Sequence, residues 1–91
     1  MHNMEEITKK SSTLHEGKFK LGLIIIKMEK EEQNLFKKIV ESIKFGDSHS
    51  SLILANELAK IRILRKKLSL FKQQIQYIED KTHKNYYELK N

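Results

Sequence analysis
The sequence has no cysteine, no proline and only three glycines in 91 residues. Without cysteine there is no disulfide framework and no thiolate metal or redox centre. Without proline and with little glycine, few residues break a long helix from within, and the abundant Lys, Glu, Leu and Ile lose little on entering one. Long apolar runs are also missing. The longest uncharged apolar run is "LGLIII", Leu21 to Ile26, far below the roughly 20 residues that span a bilayer. The opening "MHNMEEITKKSS" lacks the apolar core of a secretion signal. A chain this short suits one small domain with a modest core, which argues against an enzyme-sized pocket.

What the sequence does have is positive charge. Eighteen Lys and Arg against twelve Asp and Glu give a net charge of +6, a balance that favours anionic partners such as lipid headgroups or nucleic acid. The charge sits on a periodic framework. From Lys18 to Phe45 the apolar positions Leu21, Ile25, Met28, Leu35, Ile39 and Ile43 recur by three, four or seven, the spacing of one helix face. A second stripe follows from about Ser48: Leu54, Leu58, Ile61, Leu64, Leu68, Phe71, Ile75 and Ile78. Between them stands "FGDSHSS", in which Gly46 can take positive φ and Asp47 or Ser48 can cap the next helix. Two long helices joined this tightly run antiparallel.

The predicted fold is therefore all-α: a long antiparallel hairpin with helices over about 18–45 and 48–85, a turn over 46–48, and a mobile N-terminal arm over 1–17. The arm is polar and close to neutral, with Ser11, Ser12, Thr13 and Gly17 and no sustained apolar period. A turn centred near residue 47 sets Leu35 against Leu58 and Ile25 against Leu68. The same register explains "KMEKEEQNLF", whose acids interrupt an otherwise apolar segment: Glu29 meets Arg65 and Glu32 meets Arg62, so that charge selects alignment. Exposed pairs of this kind contribute only ~0.2–1 kcal/mol each, so the apolar seam holds the hairpin together.

Little in the sequence points to catalysis. His2, His15, His49 and His83 are dispersed without metal-ligand spacing, and Glu31 and Glu32, as helix neighbours, point about 100° apart. No phosphate-binding glycine loop or nucleophile elbow occurs. The expectation is a protein without cofactor or enzymatic activity. "RILRKKL" could serve a nucleic-acid phosphate face, but few aromatic residues interleave its charges, as single-strand stacking requires. Tyr77, Tyr86, Tyr87 and Phe71 are expected to pack at the open end of the hairpin. Leu23, Ile24, Ile26, Ile53, Ile63 and Leu70 lie off the main seam. Two helices cannot cover them all, which marks them as a candidate self-assembly surface. A helix over residues 4–16 folding back across them, with Ile7 and Leu14 as its apolar residues, is the competing reading.

Residues 35–68, "LFKKIVESIKFGDSHSSLILANELAKIRILRKKL", carry a more specific pattern: Leu35, Phe36, Lys38, Val40, Glu41, Ile43, Lys44, Gly46 and Asp47, then Ala55, Asn56, Glu57, Leu58, Ala59, Ile61 and Arg62. In these letters and their spacing the chain resembles the helical-hairpin region of archaeal ESCRT-III proteins, the CdvB group of cell-division proteins, over about residues 18–80. The resemblance implies a non-enzymatic subunit that forms filaments at the cytoplasmic face of the plasma membrane, with an AAA ATPase of the CdvC type as remodelling partner of the group. The later regulatory helices and the ATPase-recruiting motif are not seen in these residues. The expectation is accordingly a subunit that assembles with its own kind or with longer paralogues, rather than one that recruits the ATPase itself. Its membrane contacts are expected from Lys18, Lys20, Lys27, Lys66 and Lys67. A small nucleic-acid-binding protein and a soluble helical adaptor are the alternatives.

Overall fold
The computed structural model describes residues 4–90, and within them all side chains except those of Ile7, Tyr86 and Lys90. The expectations for His2 and for the side chains of Ile7 and Tyr86 lie outside the described residues. Two helices, α1 (Met4–Lys44) and α2 (Ser48–Lys90), form an antiparallel hairpin with principal extents of 67 × 16 × 15 Å. Helix α1 thus begins at Met4 and not at Lys18. Residues 4–17 are its continuation, neither an arm outside the helices nor a third helix folded back over the seam. Their serines, threonines and glycine are weak helix formers, but tertiary contacts outweigh that preference. Leu14 packs against the cluster of Leu21, Ile25 and Ile75, and the Thr8 and Thr13 hydroxyls donate to the carbonyls of Met4 and Lys9 within the helix. Helix α2 likewise runs past the expected end near residue 85.

The seam alternates steps of three and four residues: Leu14, Lys18, Leu21, Ile25, Met28, Glu32, Leu35 and Ile39 on α1, and Leu54, Leu58, Ile61, Arg65, Leu68, Lys72, Ile75 and Glu79 on α2, each at least half-buried. This is the 3.5-residue period of an antiparallel coiled coil. Leu35 and Leu58, expected opposite one another, are the most buried side chains, with 3% and 5% exposed. Four apolar residues assigned to the stripes lie elsewhere, since Ile43, Leu64, Phe71 and Ile78 are all exposed. The seam takes their polar neighbours Ser42, Arg65, Lys72 and Glu79 instead. The sequence reading stepped to the nearest apolar residue, whereas the supercoil holds a fixed period irrespective of polarity.

The turn closes both helices with few atoms. Gly46, at φ 71°, donates its amide to Ile43 at 3.0 Å, and Asp47 donates its amide to the Ser42 carbonyl at 2.9 Å. That pair of bonds is a Schellman motif. Asp47 then starts α2, its carboxylate accepting the Ser50 amide at 3.0 Å and the Ser50 hydroxyl at 2.6 Å. Those bonds, the hydroxyl's first, hold the Asp47 carboxyl below its ordinary range.

Three outcomes follow for stability. A Cβ at position 46 meets nothing within 4 Å, so Gly46→Ala carries only the backbone cost of positive φ, about 1 kcal/mol. Leu35→Ala removes a seam residue and should cost more, about 2–3 kcal/mol; urea denaturation followed by circular dichroism ranks the two. Because Asp47 is more acidic folded than unfolded, its contribution is complete above the unfolded pKa and disappears as pH falls through the folded one. An Asn at this position caps without titrating, so Asp47→Asn should flatten the acid limb of a Tm-against-pH curve; an unchanged limb would contradict the cap.

Candidate functional site
Two charged stations interrupt the seam. At the first, the Glu32 side chain is buried to 8% residual exposure yet held by two arginines. Arg65 donates Nε to Oε2 and Nη2 to Oε1 (3.2 Å), and Arg62 Nε lies 3.5 Å from Oε1. The expected Glu32–Arg62 pairing is present. The expected Glu29–Arg65 pairing is not: Arg65 goes to Glu32, and Glu29 reaches it only through its field. The Glu32 hydrogen bond and charge, with Glu29 adding less, raise the guanidinium pKa above its ordinary value. The cause is side-chain direction. Helical side chains lean toward their own N-terminus, so in an antiparallel pair an acid of α1 and a base of α2 meet about one turn out of level.

The second station has the opposite polarity. Lys18 donates its ammonium to Glu79 Oε2 at 2.7 Å and to Gln76 Oε1 at 2.8 Å, while His15 Nδ1 stands 3.6 Å from Glu79 Oε1. Lys18, expected on a membrane face, is thus engaged in the interhelical seam. Between the stations the Lys72 ammonium passes over Gly22, 3.4 Å from where a Cβ would sit. The stations are two heptads apart on both helices, acid on α1 and base on α2 at one, the reverse at the other. A two-heptad slip would bring Glu32 against Glu79, or Lys18 against Arg65. Like charges thus oppose the wrong register while unlike charges hold the right one. Sequence reasoning found Glu32 and missed Lys18 and Glu79, although their seven-residue spacing from Ile25 and Lys72 was available as a signal.

The other expected residues lie on the surface. Leu23, Ile24, Ile26, Ile53, Ile63 and Leu70 are all exposed, but their helical positions divide them: Leu23 and Ile26 on the outer side of α1, Ile63 and Leu70 on that of α2, Ile24 beside the seam, and Ile53 near the turn. Phe19, in step with Leu23 and Ile26, was not anticipated and is 63% exposed. Lys27, Lys66 and Lys67 are exposed, whereas exposed Lys20 pairs with Glu16 at 3.0 Å. Phe71, Tyr77 and Tyr87 do not form a packed end. Phe71, Tyr77 and Tyr87 are exposed, Tyr77 lies beneath the Lys81 ammonium at 4.8 Å, and Tyr87 meets His83 edge to face.

A groove of about 580 Å³ between the helices near their open end is lined by Ser11, Ser12, His15, Asp80 and His83 among others. Among the described residues no cluster of His, Cys, Asp or Glu is arranged to hold a metal ion, and no helix is long and apolar enough to cross a membrane. Comparison with protein-family models, curated proteins and solved structures matches the chain to none of them.

The stations generate a charge-exchange test. Glu32→Arg and Arg65→Glu should each lower the Tm, the first more because it buries a cation between two arginines. The double exchange should recover most of the loss; three equal losses would remove the register role.

Proposed function
We propose that the hairpin is a structural subunit of ESCRT-III type, which assembles side by side with its own copies or with longer paralogues at the inner face of the plasma membrane during division or membrane remodelling. The observation that carries this reading is the distribution of exposed apolar residues. A 67 Å rod offers Phe19, Leu23 and Ile26 on one flank and Ile63 and Leu70 on the other. Apolar groups on opposite flanks suit a repeating side-by-side contact. Exposed lysines supply attraction to anionic lipid, at ~1 kcal/mol for each basic side chain near such a surface. Weak single contacts become a firm attachment when many subunits bind together. The AAA ATPase of the family stays outside this proposal, because its recruitment would require a motif not recognised here.

Co-sedimentation with anionic and neutral liposomes at low and high salt, with electron microscopy of the pellet, tests this. Filaments or coated tubules on anionic vesicles only, lost in Leu23→Asp with Ile63→Asp, are the expected result. Salt-sensitive binding to DNA or RNA without lipid binding would favour the nucleic-acid reading. A discrete soluble oligomer indifferent to lipid would favour the adaptor.

A further inference from the structure
The hairpin has two long edges where the helices meet, and they differ in chemistry. In an antiparallel coiled coil one alternate set of seam residues leans toward one edge and the other set toward the opposite edge. Here the first set holds every charged seam residue: Lys18 and Glu32 on α1, and Arg65, Lys72 and Glu79 on α2. All the interhelical bonds of the two stations, and the approach of Lys72 to Gly22, lie toward that polar edge. The second set carries no charge and is apolar along Leu21, Met28, Leu35, Ile61, Leu68 and Ile75. The residues flanking that set carry the apolar character outward: Ile24, Leu64, Phe71 and Ile78 are each about half exposed. One position further out on either helix stand the exposed lysines Lys27, Lys60 and Lys67.

We infer that this apolar edge, from Ile24 across to Leu64, Phe71 and Ile78, is the surface laid against anionic lipid. The inference rests on the membrane reading above and assigns its contact surface. An apolar strip bordered on both sides by lysines is the arrangement of interfacial helices, whose apolar groups enter the headgroup boundary while lysine stems extend along them to the phosphates. From Leu64 to Ile78 the strip is about 21 Å long. Glu31, on α1, is the acid on this stretch of the edge. The assignment moves Ile24 from neighbour contact to lipid contact, and Lys18 and Lys66 away from lipid. The outer flanks, with Leu23 and Ile26 on one side and Ile63 and Leu70 on the other, remain for adjacent subunits.

The chain has no tryptophan, so a single introduced one reports its own surroundings. Phe71→Trp marks the apolar edge, Phe36→Trp the polar edge and Tyr77→Trp the outer flank of α2; all three positions are exposed, and circular dichroism checks that each variant folds. With vesicles of phosphatidylcholine and phosphatidylserine in equal parts, the Phe71→Trp chain should shift its emission to the blue and be quenched by brominated acyl chains, while the Phe36→Trp chain should show neither. Lys27→Glu with Lys67→Glu should weaken vesicle binding about tenfold or more, and the equal charge change Lys66→Glu with Lys84→Glu should do so by much less. Vesicle binding with the blue shift in the Phe36→Trp or Tyr77→Trp chain alone would overturn the edge assignment and leave the membrane reading standing. Failure of every variant and the unmodified chain to sediment with anionic vesicles would overturn both. A Phe71→Trp signal obtained with DNA but not with vesicles would reassign the edge to nucleic acid.

Discussion
A two-helix hairpin has a single interface, and its 3.5-residue period decides which side chains are buried, which edge is polar and which flanks stay open. The period admits charge where it must. Glu32, Arg65, Lys18 and Glu79 occupy seam positions that apolar residues would fill at lower desolvation cost. Uniform leucine at those positions would favour association in several alignments equally, including between copies. Burying reciprocal charges gives up some stability and removes the alternatives. The exposure of Arg62 and the hydrogen bond that the Lys18 ammonium donates to the Gln76 amide oxygen limit that loss.

Much of this fold was legible in the sequence because helix propensity, apolar period and turn chemistry agree. Gly46 and Asp47 lie where a reversal needs positive φ and a cap, and Leu35 and Leu58 are buried as the hairpin register requires. The errors came from two identifiable causes. Leu64, Phe71 and Ile78 are stronger apolar signals than Arg65, Lys72 and Glu79, so a reading that follows hydrophobicity leaves the true period at each of them. The helical state of residues 4–17 depends on α2, since Leu14, His15 and Lys18 find their partners near Ile75 and Glu79, some sixty residues away. Local composition does not contain that contact. The level of an ion pair also depends on the lean of side chains along each helix, which assigned Arg65 to Glu32 rather than to Glu29.

The core that results is thin. No described side chain is buried beyond 98%, and large apolar groups such as Phe19, Phe36, Phe71 and Phe45 face outward. A hairpin with one narrow seam gains little from its own interior, and anything that covers its flanks or edge adds to its stability by linkage. More of the large apolar side chains stand on the surfaces available to a partner than are buried in the seam, and that comparison is set by the hairpin's single interface.

That comparison bears on how assembly and lipid contact could coexist in one small rod. The outer flanks of α1 and α2 point in opposite directions along the line joining the helix axes, whereas the apolar edge points at right angles to it. On the proposed function, neighbours stacking flank to flank would repeat head to tail, because the two flanks are different surfaces, and would build an open row where the rotation between neighbours does not close a ring. Each added subunit would present its edge on the same side of the row. Lysines near both flanks repel in solution and so weigh against stacking without a counter-charge, while an anionic surface under the row would neutralise them and bring the edges into register at once. Lipid binding and lateral association would then favour each other through one charge term, with no change in the shape of the hairpin.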